Sequence, residues 1–129
     1  MHVIFVNGYA KTHINIAKPD ELVERIEVMP VTGLQVKADI RKQVDDLVRD
    51  QKLWVLTSDP ASLNPIDPSS RWCRGYVTHI DWIDDTEVKV TMQVMKHTRG
   101  AEFNRWQLTA KQTRSREDGL YIEPYVLLF

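Results

Sequence analysis

The chain has 129 residues, 43% of them hydrophobic and 27% charged, with a net charge of −1 at pH 7. That size and balance predict a single domain spanning 1–129, with a core large enough to fold without metals or disulfides. A lone cysteine, Cys73, excludes an intramolecular disulfide and a cysteine-based metal cluster, and no run approaches the ~20 apolar residues of a membrane span. The opening Met1–Gly8 has no positive region, and its apolar run, Val3 to Val6, is too short for a signal peptide. With the single thiol, this leads us to expect a cytoplasmic protein and no membrane partner.

Val3–Val6 is closed by Asn7-Gly8, a strong turn dipeptide, and His13-Ile14-Asn15-Ile16 alternates with period two. The expectation is an N-terminal hairpin with strands near 2–6 and 12–17. Lys18-Pro19-Asp20-Glu21 then reads as a helix start, with proline at a first helical position and acids in the first turn. Leu22, Val23, Ile26 and Met29 stand at helical spacing, so a short helix is predicted near 19–26. Pro30 prevents its extension beyond Met29, and Glu27–Val31 forms either its last turn or an extended exit.

The clearest helix covers 35–51. Val36, Ile40, Val44, Leu47 and Val48 recur on one face, and the pairs Arg41–Asp45, Lys42–Asp46 and Asp45–Arg49 are spaced for ion pairing. Leu53–Leu56 is a short strand. Thr57–Ser70 is a loop carrying Pro60, Pro65 and Pro68, long enough either to act in binding or to connect two subdomains.

A hairpin follows. Tyr76, Thr78, Ile80 and Trp82 share one face of its first strand, and Val88, Val90, Met92 and Val94 share one face of the second. Directly opposed residues point the same way, so the two apolar sets must pair, which requires a loop of odd length. Looping out Asp84-Asp85-Thr86 opposes Ile80 with Val90 and Asp81 with Lys89. Looping out Ile83-Asp84-Asp85 opposes Asp81 with Glu87 but suits the left-handed position better. Cross-strand electrostatics favours the first. Segment 101–112 reads either as a helix with Phe103 and Trp106 on one face, or as a strand with Asn104, Trp106 and Leu108 on one face. Arg116-Glu117-Asp118-Gly119 is a turn, and Leu120–Phe129 is a terminal strand.

These elements predict an α+β domain: an antiparallel sheet or small five-stranded barrel with one main amphipathic helix packed on it. A subdivision is also legible, into 1–52 (hairpin plus helices) and 53–129 (a β-rich, barrel-like half). In strand rhythm residues 53–129 look like part of an SH3-like or OB-type barrel, a resemblance of architecture that carries over no functional residues.

Two candidate surfaces stand out. Arg71, Trp72 and Arg74 gather arginines around an aromatic ring. Segment 88–116 is basic, holding Lys89, Lys96, Arg99, Arg105, Lys111, Arg114 and Arg116 against Glu102, with Trp106 in its middle. Cationic groups with stacking rings suit nucleic acid. The second candidate is the apolar end Tyr125-Val126-Leu127-Leu128-Phe129, which must be buried in its own fold or in a partner. Catalytic chemistry is poorly served. His79 and Asp81 lack a third partner, and neither a phosphate-binding glycine loop nor a nucleophile elbow occurs, so we expect no enzyme, metal or cofactor. The favoured expectation is a small protein-interaction module or inhibitor, self-associating as a homodimer or binding another protein through the C-terminal strand, an exposed sheet edge or the proline loop. The alternative is a nucleic-acid-binding module, disfavoured by the near-zero net charge.

Overall fold

A computed structural model describes residues 4–6, 9–11, 22–58, 65–69, 72–96, 105–115 and 119–128. Strands β1 (Ile4–Val6) and β2 (Tyr9–Lys11) form an antiparallel pair in which Val6 opposes Tyr9. The second strand of this pair thus comes earlier than the expected 12–17; residues 7–8 and 12–17 lie outside the described ones.

Six further strands build the main sheet: β3 (Leu22–Pro30), β4 (Trp54–Leu56), β5 (Cys73–Trp82), β6 (Glu87–Met95), β7 (Trp106–Ser115) and β8 (Gly119–Leu128). Their order is β3-β6-β5-β4-β8-β7, antiparallel throughout except for the parallel pair β4–β8. The sheet curls until its two ends meet at one parallel bridge, Val31 to Leu108, where Thr32 N donates to Leu108 O at 2.8 Å. The fold is thus a mostly β, open half-barrel of six strands carrying one short helix, α1 (Ala38–Arg49), rather than a closed barrel of five.

The sixth strand is β3, which corrects the helix expected at 19–26. Leu22–Met29 has helical spacing, but it also alternates. Register places Arg25, Glu27 and Met29 opposite Met92, Val90 and Val88 on the concave face, and Ile26 and Val28 on the convex one. β-Branched Val23, Ile26 and Val28 suit a pleated surface, and pairing with β6 covers a strand whose inward residues are fully buried. Segment 106–115 resolves as strand, with Trp106 and Leu108 in the concave core.

The hairpin adopts the electrostatically favoured register, with Ile80 opposite Val90 and Asp81 opposite Lys89. Asp84 fixes the looped-out residues: its Oδ1 accepts from Thr86 N and Oγ1, both at 2.7 Å, and from Glu87 N at 2.9 Å. These hydrogen bonds, those of Thr86 foremost, hold its carboxyl below the ordinary carboxylate value. The face assignment is broken further along. A β-bulge at Thr78 moves Val77 opposite Met92, into the concave core, and turns Tyr76 to the convex face.

Helix α1 lays Val44 and Val48 on the concave face, flanked by Ile40 and Leu47. Of the three expected ion pairs only Lys42–Asp46 forms among the described residues, at 2.8 Å. Arg41 instead reaches Asp85 at 2.7 Å and lies 5.1 Å over the Trp82 ring, whose Nε1 donates to Asp45 at 3.0 Å. Helix charges thus clamp the hairpin end.

The convex face holds a second cluster: Trp54 and Leu56 of β4, Cys73 and Tyr76 of β5, Tyr125 and Leu127 of β8. Ile66, from the proline loop, packs into it, and its backbone N donates to both Glu123 carboxylate oxygens at 3.1 and 3.0 Å. β4 and the Tyr125–Leu128 end of β8 are therefore buried on both faces.

Two substitutions test this packing. A Cβ on Gly75 would stand 1.9 Å from the Gln93 carbonyl oxygen on β6. Gly75→Ala is expected to cost about 3 kcal/mol through forced separation of β5 and β6, read as a lower urea midpoint. Trp82→Phe keeps the ring and loses the Asp45 hydrogen bond, with an expected cost of about 1 kcal/mol by the same measurement.

Candidate interaction surface

The basic candidates fall on different elements. Arg71, Arg99 and Arg116 lie outside the described residues. Arg114 belongs to β7 opposite Leu120. Trp72 is 42% exposed, and its carbonyl accepts from Thr57 N at 2.9 Å, tying the two ends of the proline loop together. Arg74 is half-buried on β5, and its Nη1 donates to Cys73 O at 3.3 Å. Lys96 and Arg105 are exposed, at the end of β6 and the start of β7. Lys111 on β7 opposes Glu123; desolvation lowers its pKa, partly offset by that carboxylate. Arg74 and Lys111 are separated by β4 and β8, about 14 Å at ~4.8 Å per strand, so they do not share one phosphate-binding cluster.

Trp106 is withdrawn as a stacking platform. It is buried in the concave core, with the Arg25 guanidinium 5.2 Å over its ring, and a base has no access to that face. The C-terminal partner surface is corrected in the same way. Tyr125, Val126, Leu127 and Leu128 are at most 3% exposed, because β8 lies between β4 and β7 and feeds both cores. Phe129 lies outside the described residues.

Cys73 is fully buried, its Sγ 3.7 Å from Gly75 O, and burial pushes the thiol up to about 12. It behaves as a small apolar side chain. His79 and Asp81 meet at 3.2 Å on the solvated convex face, and among the described residues no third His, Cys, Asp or Glu joins them as a metal-holding group. A depression of 540 Å³ opens beside the start of α1, between Gly33, Leu34, Ile40 and Ile122. Its polar lining residues, Gln35, Lys37 and Asp39, are exposed.

What remains is the edge formed by β3. This nine-residue strand pairs with β6 on one side. On the other its C-terminal end lies against β7, with the Val31–Leu108 bridge and Arg25 over the Trp106 ring, while no described strand is paired with Leu22–Val28 on that side. Val31 N donates to Thr86 O on the β6 side, whereas Thr32 N donates to Leu108 O on the far side. Backbone groups alternate sides along a strand, so those of Leu22, Glu24, Ile26 and Val28 point away from β6, towards the edge. Ile26 and Val28 are 52% and 57% exposed on the convex face. On the concave face Arg25 Nε donates to Glu27 Oε1 at 2.8 Å, both side chains about a third exposed. The helix expectation hid this edge, although Arg25-Ile26-Glu27-Val28 already carried the period-two signal.

No helix of the described residues is long and apolar enough to cross a membrane. The chain matches no family model, no curated protein and no solved structure.

The Cys73 environment has a measurable consequence. The thiol ionises near 9 when free and near 12 when folded, so its contribution to stability is complete below pH 9 and lost as the pH rises towards 12. Cys73→Ala is expected to show a shallower loss of stability across that interval. A disulfide reagent at pH 8 should label the native chain only on unfolding.

Proposed function

We propose that this chain is a small non-catalytic interaction module or inhibitor that recognises a protein by strand addition along β3. The observation that carries the reading is the edge itself: backbone groups at Glu24, Ile26 and Val28 that pair with no other strand among the described residues, beside two exposed branched side chains. Main-chain hydrogen bonds supply affinity in such docking, and alternate side chains supply specificity. Natural edges are blunted by shortness, proline or charge; β3 is nine residues long, carries its only proline, Pro30, at the bridged end, and pairs its inward charges, Arg25 and Glu27, with each other. A cytoplasmic setting suits a chain whose sole cysteine is a buried thiol.

Nucleic-acid binding is the weaker reading. Net charge is −1, Trp106 is covered, and Lys111 stands against Glu123. Gel-shift titrations with DNA and RNA at low salt are expected to show no complex; a shift that weakens steeply with salt would reverse the preference.

Ile26→Lys tests the edge directly, since an exposed strand position tolerates the change within about 0.5 kcal/mol. The immobilised native chain should retain a partner from host lysate that this variant releases. On adding that purified partner, amide exchange at Glu24, Ile26 and Val28 should slow. Equal retention by both chains would refute strand addition at β3.

A further inference from the structure

We infer that the partner taken by β3 is a second copy of this chain, paired antiparallel about a two-fold axis through Ile26; the inference rests on the reading of β3 as a strand-adding edge. A two-fold interface must be self-complementary, so each residue of the strand is tested against its own mirror position. Edge-facing backbone groups belong to the even-numbered residues, so even must oppose even, and the axis can pass through any of residues 24–28, at a hydrogen-bonded or a non-hydrogen-bonded pair. Axes at Arg25 or Glu27 oppose two like charges. An axis at Glu24 opposes two carboxylates at the centre. An axis at Val28 opposes Glu27 with Met29 and Arg25 with Val31, leaving both charges without a partner across the strands.

The axis at Ile26 complements both inward charges and leaves only Glu24, exposed on the convex face, opposite an apolar residue. Ile26 meets its own copy and exchanges both backbone hydrogen bonds with it. Glu24 opposes Val28 in the same hydrogen-bonded manner. Arg25 opposes Glu27 on the concave face, twice by symmetry. Within one chain Arg25 and Glu27 already pair at 2.8 Å, so two copies bring together four alternating charges in which every neighbour is opposite in sign. On the convex face the exposed Ile26 and Val28 of each copy form one apolar strip. The ladder runs over Glu24–Val28 and stops short of Pro30, where the Val31–Leu108 bridge already occupies the edge. Two half-barrels then share one continuous sheet.

Sedimentation equilibrium up to roughly 100 µM, a range suited to a short ladder, is expected to give twice the chain mass of 15.0 kDa. Ile26→Lys should be monomeric. Arg25→Glu and Glu27→Arg should each weaken association about tenfold or more, because positions 25 and 27 then carry like charge and every cross-strand pair is repulsive. Mixing these two variants opposes an all-acidic pair with an all-basic one and should restore the dimer as a heterodimer. Circular dichroism establishes that each variant is folded; should a charge variant fail to fold, Ile26→Lys and Val28→Lys decide alone. A native chain that stays monomeric, single variants that remain dimeric, or folded variants whose mixture stays monomeric would each overturn the inference. If the native chain is monomeric yet loses a lysate partner on Ile26→Lys, self-pairing falls and the edge reading stands. If neither association depends on Ile26, both fall.

Discussion

Burial of the central strands on both faces is the constraint on which the rest of the molecule depends. Trp54, Val55 and Leu56 of β4 alternate between the convex and concave clusters, as do Tyr125, Val126, Leu127 and Leu128 of β8, all nearly inaccessible. A sheet centre of this kind requires a layer on each side. The concave side is served by α1 and by the curl of the sheet itself. The convex side is served by Ile66, anchored through its backbone to Glu123. The proline loop is therefore a piece of core architecture at residues 65–69, and the parallel pairing of β4 with β8 belongs to the doubly buried kind of sheet.

The same constraint decides what the surface can do. An uninterrupted apolar run such as Tyr125–Leu128 is what a strand buried on both faces needs, which removes it from contact with partners. The periphery of the sheet is where polar and apolar residues mix. There β3 carries charges inward and Ile26 and Val28 outward, an inversion of the usual soluble pattern. The inward charges survive because the half-barrel is open: Arg25 and Glu27 satisfy each other, and Arg25 also covers the Trp106 ring.

Legibility in the sequence followed how local each determinant is. The hairpin register could be read because Asp81, Lys89 and the acidic loop lie within a few residues of one another, and the main helix could be read because Val44 and Val48 fix its buried face. Strand β3 could not. Pro19-Asp20-Glu21 and the spacing of Leu22, Ile26 and Met29 argue locally for helix, while the pairing that makes it a strand lies 57 to 73 residues away on β6. The bulge at Thr78 was equally hidden, since nothing in Tyr76-Val77-Thr78-His79 announces an extra residue; it moved Tyr76 from one core to the other. Trp106 and Tyr125–Leu128 were recognised as chemically distinctive. Their burial depends on neighbours contributed by β3, β4 and α1, which no window around them contains.

The parallel pairing of β4 with β8 also imposes an order on assembly. Val55 and Leu56 find their partners at Val126 and Leu127, roughly seventy residues later, across the β5–β6 hairpin and the whole of β7. Until those late residues leave the ribosome, β4 has β5 alone beside it and offers a bare edge with apolar side chains on both faces. Local pairs such as β5–β6 can zip early, but the middle of the sheet closes last. For this chain the interval between synthesis of Leu56 and of Leu127 is the period of greatest exposure to misassociation.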